Sequence, residues 1–158
     1  MKRFVCLALV LLAAGCSSPT SPESLTLVRL GSAAAPLTSY SGLRESQRLV
    51  IRDQATWQQT WSAIWSNTAP QPALPTIDFT REMVILAALG ERPTGGYSIF
   101  VDSASETAAG VTIAVRSLAS DSGCPVTLAL TQPVDIARMT RRDGHVEFAE
   151  TFAIQRCD

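Results

Sequence analysis

An α+β domain is the fold class the sequence predicts: mainly an antiparallel β-sheet or sandwich of five to seven strands, with one amphipathic helix near its start. Three observations carry this. Helical periodicity in the folded part is confined to one stretch, where Trp57, Trp61, Ile64 and Trp65 fall on a common face. Most of the later chain alternates apolar and polar residues with the period of a strand. The segments between are short and rich in Gly, Pro, Asn and Asp, as turns joining neighbouring strands require.

The elements follow in chain order. Leu25 to Leu30 reads as a first strand, Gly31 to Ser46 as a loop, and Arg48 to Arg52 as a short strand. Asp53 stands where a helix N-cap belongs, its carboxylate placed to accept from first-turn amides. The helix is expected over about residues 54–66, with Gln54, Gln58, Gln59 and Ser62 on its polar face. Its Trp residues, all three in the chain, read as core packing; an aromatic carbohydrate platform is the alternative. Asn67 to Pro75 contains three prolines and ends the helix.

Met83 to Leu89 is an unbroken apolar run that suits a strand buried on both faces. Tyr97 to Asp102 and Val111 to Arg116 alternate. Val126 to Leu130 and Val134 to Met139 are two further strands. Asp143-Gly144 is a hairpin signal joining Ile136–Arg141 to Val146–Phe152.

The ends of the chain bear on location. Lys2 and Arg3 precede an apolar run, Phe4 to Ala14, too short to span a bilayer of roughly 30 Å as a helix. Small residues follow, directly before Cys16. This order predicts a secretory signal peptide over 1–15. The Leu-Leu-Ala-Ala-Gly-Cys ending also resembles the lipobox of bacterial lipoproteins, with Ala13 in the usual Leu place. That resemblance implies that Cys16 becomes the first mature residue and carries a diacylglycerol thioether and an amino-terminal acyl chain such as palmitate. By the sorting rule of Gram-negative lipoproteins, Ser17 rather than Asp favours the outer membrane. A lipid-anchored cell-envelope protein facing the periplasm or the cell surface is the expectation. Residues 16–24 are a polar tether, and 25–158 are a single globular domain.

Composition excludes several function classes. Removing residues 1–15 leaves 143 of the 158 residues, with eleven Arg, no Lys and fourteen acidic residues. The balance is acidic, so no basic surface for nucleic acid is indicated. A catalytic lysine is excluded from the mature chain. The one histidine, His145, cannot build a multi-histidine metal site. It follows the Asp143-Gly144 turn, where exposure is expected, and no serine stands in a nucleophile elbow. The reading is therefore non-enzymatic, with no cofactor and no metal. Cys124 and Cys157 remain after Cys6 leaves with the signal and Cys16 takes lipid. In an oxidising compartment they are expected to form a disulfide; two unpaired buried thiols are the alternative.

One segment stands out as a contact site: Gly90 to Ser98, GERPTGGYS. Pro93 stiffens it, Gly95 and Gly96 permit positive φ and close approach of another chain, and Tyr97 offers an amphipathic ring. The partner-binding residues are expected to be Arg92, Pro93, Thr94, Gly95, Gly96 and Tyr97. The plainer alternative is a hairpin turn whose Tyr packs into the core, and burial of both Thr94 and Tyr97 would mark it. Arg81 to Val84, this GERPTGGYS block, and Gly123 to Pro133 (GCPVTLALTQP) resemble the C-terminal domain of the protease-complex subunit PrcB and its relatives. The Trp57, Trp61, Trp65 helix and Cys157 fit the same pattern, which covers roughly residues 45 to 158. The resemblance implies a small secreted or lipid-anchored protein with a protease-associated or assembly role; it does not by itself imply an activity. Arg92 to Tyr97 is also similar to the Asn-Pro-Thr-Thr-Gly-Tyr loop of chagasin-type cysteine-protease inhibitors, with Arg92 in the Asn place and Gly95 in place of the second Thr. That similarity implies a direct inhibitor. A purely structural envelope lipoprotein is the third reading.

Overall fold

The computed structural model describes residues 21–31 and 37–157. The expected signal peptide and Cys16 lie outside the described residues. Eight strands and one helix follow in order: β1 (Glu23–Leu25), β2 (Val28–Arg29), β3 (Gln47–Ile51), α1 (Gln54–Ile64), β4 (Glu82–Ala88), β5 (Tyr97–Thr107), β6 (Gly110–Ser120), β7 (Val134–Thr140) and β8 (Val146–Gln155). They form two four-stranded sheets, ordered β1-β5-β6-β8 and β2-β7-β4-β3. Pairing is antiparallel except between β6 and β8, which run parallel. The α+β class holds, with one strand more than the expected upper bound.

The core has two layers. Met83, Ile85, Ala87 and Leu89 on one side of β4 meet Ile99, Val101, Ile113 and Val115 of the other sheet. Val84, Leu86 and Ala88 on its opposite side meet Trp57, Trp61 and Ile64 of α1. Hence β4 reads as an unbroken apolar run: it is the central layer of a sheet–sheet–helix stack, and both of its faces leave water. The expected helix forms and ends two residues early. Asp53 caps it in extended conformation, accepting from the Thr56 N–H and hydroxyl at 2.8 Å each. Trp57 and Trp61 are buried, and their indole N–H groups donate at 3.0 Å to the carbonyls of Pro75 and Pro72. The proline-rich segment that ends the helix thus also satisfies its buried indoles, and no aromatic platform faces solvent.

Three strand expectations are corrected. Leu25 to Leu30 is not one strand. It starts two residues earlier, at Glu23 within the expected tether, and splits so that β1 pairs with β5 and β2 with β7. The chain crosses between sheets there, placing Leu25 and Leu27 in one core layer and Leu30 in the other. Val126 to Leu130 is not a strand. Its backbone is held by the 92–96 loop instead of a sheet, and Leu128 and Leu130 are left exposed. Asp143-Gly144 is not a hairpin. Both edges of β7 are already taken by β2 and β4, so the chain leaves for the other sheet. Gly144 is not among the glycines with positive φ that a type I′ turn demands. Arg141 and Arg142 pin the crossing. The Arg141 guanidinium donates to the carbonyls of Arg52 and Phe79 at 2.9 and 2.8 Å, and Arg142 pairs with Glu106 at 2.8 Å.

Candidate functional site

The GERPTGGYS segment bridges the two sheets, running from the end of β4 to the start of β5. Gly90 turns the chain with φ +78°, and a Cβ there would lie 2.8 Å from the Ser46 nitrogen, so glycine is required twice over. The next residues are stitched to the segment before β7. Arg92 and Thr131 exchange both backbone hydrogen bonds at 2.8 and 2.9 Å. The Thr131 hydroxyl donates to the Thr94 carbonyl at 2.7 Å, and the Gly95 N–H to the Thr127 carbonyl at 2.9 Å. The Ser120 N–H donates to the Gly96 carbonyl at 2.7 Å. The loop is therefore preorganised by its own backbone.

Of the two uses expected of Gly95 and Gly96, positive φ and close approach, only the close approach is found. Neither has positive φ. They are glycines because other chain comes close: a Cβ on Gly96 would meet Val126 Cγ1 at 2.8 Å, and one on Gly95 would meet Thr127 Cβ at 3.2 Å. The Thr94 hydroxyl accepts from the Gly96 N–H at 3.3 Å. Thr94 is half-buried and works inside the loop, whereas Pro93 and Gly95 are exposed.

Arg92 and Tyr97 lie side by side, both half-buried, with Tyr97 packed against the core cluster. The Arg92 guanidinium lies over the Tyr97 ring, 5.9 Å from its centroid, and donates to the Leu89 carbonyl at 2.9 Å. Both line an open cleft of about 270 Å³ between the ends of the two sheets, with Leu89, Ser117, Leu118 and Phe152. Thr94 and Tyr97 are both half-buried, and Tyr97 packs against the core cluster between the sheets, so neither the exposure expected of a contact loop nor the full burial expected of a purely architectural one is met.

Sequence reasoning missed the far wall. Parallel pairing of β6 with β8 puts Val146, Phe148, Glu150, Phe152 and Ile154 on one face, beside Val111, Ile113, Val115, Ser117 and Ala119. The first two pack against the core, but Phe152 and Ile154 lie outside the core clusters and are 64% and 63% exposed. The signal was available as the spacing of Phe148, Phe152 and Ile154. Cys124 and Cys157 form the expected disulfide, with Cα atoms 5.5 Å apart. It ties the chain just past β8 to the loop after β6, holding that wall beside the cleft.

A larger depression, about 630 Å³, lies at the opposite end of β4 beside Asp78, Arg81, Glu82, Arg141 and Asp143. Among its charged side chains, Glu82 pairs with Arg138 at 3.6 Å. Arg141 pairs with Asp143 at 2.7 Å, and the Thr80 hydroxyl and N–H hold the Asp78 carboxyl below its usual range. His145 is exposed in the turn before β8. Among the described residues no group of three or more His, Cys, Asp or Glu could hold a metal ion, and no helix is long and apolar enough to cross a membrane.

The segment that carries this loop also carries the family signature. Residues 83–140 match the PrcB C-terminal family. The matched stretch runs from β4 through β7. It contains Arg92 to Tyr97 and Cys124, and leaves α1, β8 and Cys157 outside. No curated protein and no solved structure matches the chain.

Proposed function

We propose that this chain is a lipid-anchored envelope protein whose β domain is a non-catalytic binding or assembly module that stabilises or regulates a secreted protease. One observation carries the contact site. Arg92 and Tyr97 meet at an open apolar cleft, on a loop whose backbone is fixed before any partner arrives. Fixing the loop in advance lowers the ordering cost of association, and Tyr and Arg are the residue types that anchor interfaces. The PrcB C-terminal match supports protease association; the lipobox at Cys16 supports anchoring.

The test is cross-linked capture of envelope partners by wild type and by Tyr97→Ala. Tyr97→Ala is expected to lose the partner while the melting temperature stays within a few degrees of wild type. Unchanged capture would sink the contact site and favour a purely structural lipoprotein. Labelled palmitate should enter the wild type and not Cys16→Ala; a soluble, unlabelled wild type would remove the anchor.

A further inference from the structure

We infer that the open edge of β8 is a strand-addition site, taking an extended peptide segment of a partner protein that carries apolar residues at alternate positions and a carboxylate for Arg92. This rests on the reading of the cleft as a contact site and adds the mode of contact and the chemistry of the partner.

The backbone specifies a strand. β8 ends its sheet. The His145 carbonyl accepts from the Val111 N–H at 3.0 Å and the Gln155 carbonyl from the Asp121 N–H at 2.9 Å, and the pairing between has no register shift. In a parallel strand the N–H and C=O of alternate residues point to the same side. Odd-numbered residues of β8 therefore serve β6, and Val146, Phe148, Glu150, Phe152 and Ile154 turn their backbone groups to the open edge. Soluble proteins usually blunt such an edge with proline, a bulge or charge. The first half of β8 has such a guard, since Glu150 points inward and pairs with Arg48 at 2.9 Å. From Thr151 to Gln155 there is no charge, no Pro and no Gly. At Phe152 and Ile154, unpaired amides and uncovered apolar side chains coincide, as strand addition requires.

Charge complementarity specifies the rest. Arg92, at the mouth of the cleft, donates only to the carbonyls of Leu89 and Glu91 and takes part in none of the ion pairs among the described residues. Arg156, just beyond β8, has none either. Glu91 is turned away to Arg44 and Gln132. A peptide laid on β8 with an acidic side chain or its terminal carboxylate near the cleft would meet Arg92.

The test uses the full chain in lipid nanodiscs and a fluorescent seven-residue peptide of alternating threonine and valine ending in glutamate. Saturable binding is expected, with hydrogen-exchange protection gained at the Phe152 and Ile154 amides and unchanged at Thr151 and Ala153. Methylating alternate peptide nitrogens should weaken binding at least tenfold. Ile154→Pro removes one outward N–H at an edge that tolerates it, and should weaken binding at least tenfold with the melting temperature retained. Arg92→Gln should weaken the glutamate peptide and not its glutamine analogue. No saturable binding, binding without that alternating protection, or the same protection arising from self-association without peptide would overturn strand addition. If Ile154→Pro keeps envelope-partner capture and Tyr97→Ala loses it, strand addition falls and the contact site stands.

Discussion

Arg29 reaches from β2 to the Asp135 carboxylate, donating from Nε to Oδ2 at 2.9 Å where Asp135 is fully buried between the sheets. The same oxygen accepts from the Val101 N–H at 2.9 Å, beside the irregularity in β5 between Val101 and Ser103. One side chain thus fastens a short edge strand, a central strand and a strand of the opposite sheet. Burial pushes the Asp135 carboxyl above its usual range, against the pull of Arg29 and Val101. A raised folded-state pKa means the folded protein binds the proton more tightly than the unfolded chain. The associated stability is full below the unfolded value of 3.8 and falls as pH rises through the folded value. Arg29→Ala strands the buried carboxylate and is expected to cost about 3–5 kcal/mol at neutral pH. The loss should shrink towards pH 4, where the carboxyl takes up its proton. Urea melts of wild type and variant at both pH values check this, and an equal loss at both would refute it.

The glycines of the contact loop should fall in a definite order. Gly90 combines positive φ with backbone neighbours closer than 3 Å to a Cβ, so Gly90→Ala is expected to destabilise by more than about 2 kcal/mol. At Gly96 the obstacle is a side-chain methyl of Val126, which can move, so Gly96→Ala should cost less. At Gly95 the nearest atom is 3.2 Å away, and Gly95→Ala should cost least. Thermal melts of the three variants give the order; a Gly95 variant less stable than the Gly90 variant would contradict it.

What could be read from the sequence was local. Asp53, the Trp57–Trp61 spacing and the unbroken run of β4 each announce their surroundings, because capping, one helical face and two buried faces leave periodic traces. What could not be read was which strand neighbours which. Asp143-Gly144 carries a real turn preference, but a hairpin needs a free edge on β7, and β2 and β4 occupy both. Leu25 to Leu30 has strand periodicity, and nothing local says that the chain changes sheets within it. The loop residues were legible as a group, because Pro, paired Gly and Tyr between two strands is a distinctive composition. Phe152 and Ile154 joined the site only through the parallel pairing of β8 with β6, a contact between segments far apart in the chain.

Trp57→Ala should be the most damaging of the helix substitutions. Trp57 is fully buried and its indole N–H has a carbonyl partner, so truncation leaves a cavity and an orphaned Pro75 carbonyl. A loss of about 3–5 kcal/mol is expected. Trp65 packs on Trp61 in a tilted arrangement with ring centroids 5.7 Å apart but is only half-buried, so Trp65→Ala should cost less. Chemical denaturation of both variants tests the ranking. Equal losses would mean that the outer tryptophan packs as tightly as the inner one.

The disulfide should matter for the site as well as for stability. It closes a separation of 33 residues, and the chain-entropy model values a loop of that size at roughly 3–4 kcal/mol. The last strand leaves its sheet just before Cys157, with no pairing beyond β6 to hold it. A paired Cys124→Ser, Cys157→Ser variant is therefore expected to melt at a lower temperature. It should also exchange amide hydrogens faster at Thr151 and Ala153, which are bonded to β6, while the amides of β4 keep their protection. Because Phe152 forms the far wall of the cleft with Arg92 and Tyr97, loosening that strand should weaken partner capture in proportion to the lost protection. Capture at full strength from a variant whose β8 amides exchange freely would show that the partner does not use this wall.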